Sequence, residues 1–217
     1  MSNTPKSEWV MDPKTVNRNR VKLVGIFAVA LVPLFLAFTM YYGGWAIPQG
    51  KTNKGALIWP PVSLNSIDTK ENQQGENALM EKVKETKNWT IMLTGASVCD
   101  TVCLDSLHTI KQVNIALGKE AKRVSRIMVS VLGETDLEKI MTDYPEMQSH
   151  KVESAELQNF HAAVVANGIE AESLKVQPWM IWVVDPLGNV ILQYTKNNDG
   201  YDMIDDLKRV LKLSNIG

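Results

Sequence analysis

The hydrophobic residues near the N-terminus form one unbroken stretch. No side chain between Leu23 and Gln49 is charged, and residues 23–40 are dense in Leu, Val, Ala, Phe and Ile. A run of about 20 such residues is long enough to span a bilayer as a helix. Pro33 is compatible with this helix, because the backbone groups that it frees can be satisfied locally. The pattern therefore predicts one transmembrane helix over residues 23–45.

The flanks of this stretch predict its orientation. It is preceded by a basic segment and followed by an aromatic one, with Lys14, Arg18, Arg20 and Lys22 before it and Tyr41, Tyr42 and Trp45 after it. The positive-inside rule places residues 1–22 in the cytoplasm and the remainder in the periplasm or its equivalent. A cleaved signal peptide is the alternative, but the bulky end of the run lacks the small residues of a cleavage site. We expect a single-pass protein of the inner (cytoplasmic) membrane.

Beyond a linker and N-terminal domain elements at residues 46–80, strand and helix patterns alternate over residues 81–217. Short apolar runs predict buried strands, and apolar residues at helical spacing lie between them. The strands are expected at 89–93, 124–132, 179–184 and 190–194, with helices at 104–117, 157–165 and 203–211. Strands separated by helices favour parallel pairing, and the final hairpin adds an antiparallel edge. The predicted fold is α/β and thioredoxin-like, a central mixed sheet flanked by helices. Trp179 and Trp182 are predicted to share one strand face.

Charge and composition narrow the possible functions. The 217-residue chain has a net charge of -1 and no dense basic tract after the anchor region, which argues against nucleic-acid binding. It contains two cysteines and three histidines. Metal sites built from these residue types are therefore restricted to few combinations.

The two cysteines, Cys99 and Cys103, lie where a buried strand turns into a helix. A thiol at a helix N-terminus meets unpaired N–H groups and the positive end of the helix dipole, which stabilise its thiolate. Cys103 is about one turn further and can close a disulfide with Cys99. Cys99 is expected to be the more exposed sulfur, while Asp100 and Asp105 add negative charge that opposes thiolate formation. The alternative is a structural disulfide, although so short a loop gains little stability from one.

The sequence around this pair resembles the Sco/SenC/PrrC family. The resemblance covers residues 88–131, the late turn at 184–188 and the single anchor. It implies a membrane-anchored thioredoxin fold that delivers copper to the CuA site of cytochrome c oxidase or acts as a thiol–disulfide reductase. If the function is copper delivery, Cys99 and Cys103 are the metal ligands.

Two positions depart from the family pattern. Asp100 stands where the family has proline, and Gln177 stands where the family has a copper-binding histidine. Pro178 then matches the position at which thioredoxins place a cis-proline facing the active-site sulfurs. Of the histidines, His108 is expected to point away from both sulfurs. His150 is expected in a loop and His161 on a helix.

Three functions remain open. The favoured one is a thiol–disulfide oxidoreductase that acts on a client protein with a dithiol or disulfide, for example an oxidase subunit. Cys99 attacks, Cys103 resolves and Pro178 shapes the docking groove, with no required cofactor. The second is a copper metallochaperone that uses Cys99 and Cys103, and the third is a redox-inert assembly protein.

Overall fold

The computed structural model describes residues 13–43, 53–67, 77–95, 97–167, 179–195 and 197–214. The chain divides into two compact units, residues 1–51 and 52–217. The first contains helix α1 (Pro13–Gly43), whose segment Val16–Gly43 is long and apolar enough to cross a membrane. None of that apolar segment is buried inside the protein. In this respect α1 differs from the core helix of a soluble protein.

The second unit is built on a six-stranded mixed sheet with the order β1-β6-β5-β2-β3-β4. Its strands are β1 (Ala56–Ser63), β2 (Trp89–Gly95), β3 (Val124–Ser130), β4 (Gln148–Lys151), β5 (Trp179–Val184) and β6 (Asn189–Tyr194). Strands β2, β3 and β4 are parallel, and β5 runs antiparallel to both β2 and β6. Strand β1 pairs antiparallel with β6 at the edge.

Helices cover both faces of this sheet. They are α2 (Ala78–Thr86), α3 (Thr101–Ala116), α4 (Glu134–Asp143), α5 (Ser154–Ala166) and α6 (Gly200–Leu213). Apolar residues of α3, α4 and α6 join the core on one face. Those of α2 and α5 join the core on the other. The predicted α/β architecture, a central mixed sheet flanked by helices and preceded by an apolar helix, is confirmed.

Two details of the sequence prediction are wrong. Trp179 and Trp182 lie on opposite faces of β5 and belong to different cores, because neighbouring side chains alternate and these residues are three positions apart. His150 lies in the short edge strand β4 opposite Val129, not in a loop. That strand is polar, so its sequence carries no hydrophobic signal.

His161 lies on α5, as expected. Its ring lies beside those of Phe160 and Trp182. Burial lowers the pKa of His161 below its ordinary value of 6.5, because desolvation penalises the charged imidazolium. Burial therefore favours the neutral form of this partly buried imidazole, which lies against aromatic residues of the core.

A buried carboxylate ties the start of β1 to the C-terminal helix. Asp206 of α6 is 2% exposed and accepts hydrogen bonds from the backbone N–H groups of Lys54 and Gly55, at 2.9 Å each. It also accepts one from the Tyr194 hydroxyl at 3.0 Å. Burial and the Asp206 charge raise the pKa of Tyr194, so this hydroxyl keeps its proton and stays a donor. Three donors thus compensate the buried charge.

Replacing Asp206 by alanine removes the shared acceptor and leaves buried donors unpaired. We expect Asp206→Ala to lower the free energy of unfolding by about 3 kcal/mol, measured by urea unfolding of the protein in uncharged detergent. Asp205→Ala, at the exposed neighbouring position, is the control and should change it by less than about 0.5 kcal/mol. Equal effects of the two substitutions would show that the carboxylate has no special role.

Candidate functional site

The site begins where the central strand β2 ends. Every residue from Trp89 to Gly95 is buried, and Gly95 is paired with Trp179 of β5. A Cβ atom at position 95 would overlap the Trp179 indole. Glycine therefore allows the indole to lie across the end of β2, just before the chain leaves the sheet.

Asp100 starts helix α3 directly after Cys99. Its backbone is extended, and its carboxylate accepts a hydrogen bond from the N–H of Cys103 at 3.1 Å. The N–H of Leu104 donates to the Asp100 carbonyl at 3.1 Å. An aspartate N-cap satisfies one of the helix's unpaired donors and favours its dipole. Asp100, which the sequence analysis treated only as an opposing charge, is thus also the residue that fixes the first turn.

The two cysteines form a disulfide across this first turn, with Cα atoms 5.1 Å apart. Their environments differ. Cys103 is 0% exposed and belongs to the same core cluster as Leu107 and Trp179, whereas Cys99 is only partly buried and packs at the margin of that cluster. One sulfur is therefore accessible to a partner while the other is shielded by the core.

Trp179 holds the loop that precedes Cys99. Its indole N–H donates to the carbonyl of Val98 at 3.2 Å, and its ring is 1% exposed. This contact joins the first residue of β5 to the loop before the disulfide. Sequence reasoning did not assign Trp179 to the site. The available signal was its place directly after Pro178, the residue compared with the thioredoxin cis-proline.

Apolar side chains are exposed around the disulfide. Val98, Val102 and Leu104 are 67%, 39% and 50% exposed, and we call these three residues the apolar collar. Beside Val102, a cleft of about 290 Å³ lies between α3, the ends of β5 and β6, and α6; its lining includes Asp105, Trp179, Tyr194, Asn198 and Met203. The accessible sulfur is thus bordered by apolar surface.

The structure adds none of the other residues considered in the sequence to the described part of the disulfide site. Pro178 and Gln177 lie outside the described residues. His108 is exposed on α3, while His150 and His161 belong to β4 and α5. The described residues contain no group of three or more His, Cys, Asp or Glu side chains that could hold a metal ion.

The donor set limits metal chemistry. Among the His, Cys, Asp and Glu side chains of the described residues, no third ligand joins the sulfurs of Cys99 and Cys103, which are bonded to each other. Two thiolates suit Cu(I), while Cu(II) prefers nitrogen ligands such as imidazole. A three-ligand copper site does not fit these residues.

Two family models match the chain. One, described as transmembrane-like, thioredoxin-like, C-terminal domain, matches residues 89–214. The other, described as transmembrane-like, N-terminal domain, matches residues 13–44. The chain belongs to the transmembrane-like, thioredoxin-like family. Its N-terminal match and helix α1 both indicate membrane anchoring. None of the curated proteins matches the sequence.

Solved structures similar to this family member include copper proteins and oxidoreductases. Arabidopsis thaliana ScoI with copper bound is 16% identical, with a TM-score of 0.50 over 72% of this chain and 99% of that one. Bradyrhizobium japonicum ScoI with copper bound is 20% identical, with a TM-score of 0.44 over 71% and 98%. The thioredoxin domain of a thiol-disulfide oxidoreductase from Bacteroides vulgatus is 13% identical, with a TM-score of 0.45 over 72% and 96%. At 16% identity, the Arabidopsis match establishes a shared fold only. The predicted resemblance to Sco proteins is therefore confirmed for the fold.

Asp100 offers a test of this local geometry. Asp100→Ala removes the N-cap and should lower the free energy of unfolding by about 1 kcal/mol, whereas Asp100→Asn keeps a capping oxygen and should preserve stability. Asp100→Asn also removes a negative charge beside Cys99. We therefore expect the equilibrium with a glutathione buffer to shift about two- to five-fold toward the dithiol, because the Cys99 thiolate is less repelled.

Asp105→Asn is the matched control for the redox measurement. It removes the same charge one turn further along α3 and should shift the equilibrium less. A shift toward the disulfide in Asp100→Asn would contradict the charge argument. Unchanged stability in Asp100→Ala would contradict the capping argument.

Proposed function

We propose that this protein is a membrane-anchored thiol–disulfide oxidoreductase that acts on cysteines of a client protein. The observation that carries the proposal is the Cys99–Cys103 disulfide at the start of α3, with Cys99 partly accessible and Cys103 fully buried. A purely structural disulfide has little reason to occupy this place, since closing so short a loop adds little stability.

The exposure difference assigns the two roles. In the reduced protein, the Cys99 thiolate attacks one sulfur of a client disulfide, and the client S–S bond breaks as a mixed disulfide forms. The departing client sulfur takes up a proton. The Cys103 thiolate then attacks the Cys99 sulfur, which releases the second client thiol and forms the Cys99–Cys103 disulfide. The client gains two electrons and two protons, and a dithiol reductant restores the protein.

Pro178 completes the proposed site. On sequence grounds it occupies the position of the thioredoxin cis-proline, and in this role it shapes the groove that receives the client. Its neighbour Trp179 donates to the Val98 carbonyl, so the start of β5 contacts the loop that carries Cys99.

Two features of the sequence support the proposed compartment and client. Positive charge in the first part of α1, before its apolar stretch, supports a cytoplasmic N-terminus and a periplasmic thioredoxin-like domain. The resemblance of residues 88–131 to Sco proteins supports a client in cytochrome c oxidase assembly, the subunit whose cysteines form the CuA site. Reduction of those cysteines is the step we assign to this protein.

Copper delivery is the second candidate function. This candidate is favoured by the two cysteine sulfurs, which can bind Cu(I) when reduced. The similar structure of Arabidopsis thaliana ScoI has copper bound. The donor set of the described residues, which lacks a third ligand, places this candidate behind the oxidoreductase. A redox-inert assembly role is the third, and it requires a disulfide that never exchanges.

Trapping of the mixed disulfide tests the proposed function. Cys103→Ser removes the resolving thiol, so Cys99 should accumulate as a mixed disulfide with periplasmic protein, seen as a reducible high-mass band on non-reducing gels. Cys99→Ser keeps one thiol, but a buried one, and is the matched control that should trap nothing. If both variants trap equally or neither does, the assigned roles are wrong.

Copper binding separates the first two candidates. We expect the reduced full-length protein to hold Cu(I) through its two thiolates alone, and therefore less tightly than a site that has a third ligand. The measurement is a Cu(I) titration against a competing chelator, with the Cys99→Ser, Cys103→Ser double variant as control. Tight binding of one equivalent that the double variant loses would favour copper delivery.

A further inference from the structure

The sheet topology gathers several chain segments at the disulfide. Strands β2, β3, β4 and β6 run in the same direction, so their C-terminal ends lie along one edge of the sheet. Helices α3, α4, α5 and α6 begin at this edge, and β1 starts there because it is antiparallel to β6. We call it the disulfide edge, and its described segments are 53–55, 97–105, 131–136, 151–156 and 197–202.

The disulfide edge is strongly acidic. Its described segments carry eight carboxylates and two lysines: Asp100, Asp105, Glu134, Asp136, Glu153, Glu156, Asp199 and Asp202 against Lys54 and Lys151. The whole chain has a net charge of only -1. Part of the balance comes from residues 1–22, which carry five Lys and Arg side chains against two acidic ones. Lysines also lie toward the opposite edge, near the C-terminal ends of α2 and α6 and in the turn before β3.

Helix capping accounts for part of this charge. The carboxylates of Asp100 and Asp199 accept backbone N–H groups at the starts of α3 and α6, and Glu153 takes part in a capping box. A helix N-terminus carries about half a positive charge, so four of them offset about two carboxylates. Capping does not account for Asp105, which lies one turn inside α3. A net negative edge remains.

Apolar surface lies within this acidic edge. The apolar collar of Val98, Val102 and Leu104 is exposed in the same segment as the partly exposed Cys99. Complementary charge steers a partner and fixes its register, whereas burial of apolar surface holds it. A partner that meets both features must carry cations around an apolar centre.

We infer that the client docks at the disulfide edge through a segment in which apolar residues flank the cysteine and lysines or arginines surround them. The inference rests on the proposed function and specifies its substrate class. The apolar collar contacts the residues next to the client cysteine, and the acidic side chains pair with the surrounding cations.

Peptide binding tests this inference without any redox step. The full-length protein in uncharged detergent is titrated with two labelled peptides that share a Leu-Ser-Leu centre, with serine in place of the client cysteine. One peptide has lysine flanks and the other glutamate flanks. We expect the lysine peptide to bind about tenfold more tightly at low salt by fluorescence anisotropy. The difference should shrink near 0.15 M salt, where the screening length is about 8 Å.

Charge-neutral variants locate the effect. The triple variant Asp105→Asn, Glu134→Gln, Asp136→Asn should reduce the preference for the lysine peptide several-fold. Asp105→Asn alone leaves α4 unchanged and should also reduce this preference, by a smaller factor. Glu85→Gln, Asp143→Asn removes charge from positions outside the disulfide edge and is the control that should change nothing. Equal binding of the two peptides, or a preference that survives the triple variant, would overturn the inference.

The apolar collar has its own variant. Val98→Ser, Val102→Ser should weaken both peptides by a similar factor and leave the salt dependence unchanged, because apolar contact is lost and charge is kept. Unchanged binding of both peptides would remove the apolar collar from the docking surface.

Reduction of matching disulfide peptides separates this inference from the proposed function. If the lysine peptide binds preferentially and neither peptide disulfide is reduced, the docking surface stands and the oxidoreductase function fails. If both disulfides are reduced at the same rate and both peptides bind equally, the function stands and the inferred client chemistry is wrong.

Discussion

Strand β2 has a neighbour on each side and is buried along its whole length. A buried strand must pair its backbone N–H and C=O groups, and β2 pairs in continuous register with β3 from Trp89 to Gly95 and with β5 from Thr90 to Gly95. That register sets where the chain leaves the sheet. It also places Trp179 opposite Gly95, and so brings the indole against the loop that carries Cys99. The position of the disulfide is thus a consequence of central strand pairing.

The first turn of α3 gives the two cysteines their different environments. Two cysteines four residues apart lie close enough to bond, but only Cys103 faces the core that α3 shares with the sheet. Hydrophobic packing of the helix therefore decides which sulfur is accessible. Asp100 has two opposing effects at the same turn. Its carboxylate stabilises the start of the helix, and it also disfavours a negative charge on the neighbouring Cys99 sulfur.

Topology also gives the molecule an uneven charge distribution that its net charge conceals. Parallel strands followed by helices bring helix N-termini to one edge and helix C-termini to the other. Acidic residues favour the former and basic residues the latter. The edge that carries the disulfide therefore becomes acidic for reasons of helix stability, and Asp105 adds charge beyond that requirement. In the docking that we propose, electrostatic steering of the client is then a property of the fold as much as of the site.

The sequence by itself determined the apolar helix, the buried strands, the helices between them and the cysteine pair at a strand-to-helix turn. These features depend on local periodicity, which reports directly whether a face is buried. Edge strand β4 was missed because it is short and polar, and β1 was missed because Pro60 and Pro61 interrupt its apolar run. Its pairing partner is distant in sequence. The core to which Trp179 belongs, the capping role of Asp100 and the role of Asp206 were decided only by tertiary structure. Asp206 contacts backbone about 150 residues away, and no local pattern can encode a contact between two segments that only the folded sheet brings together.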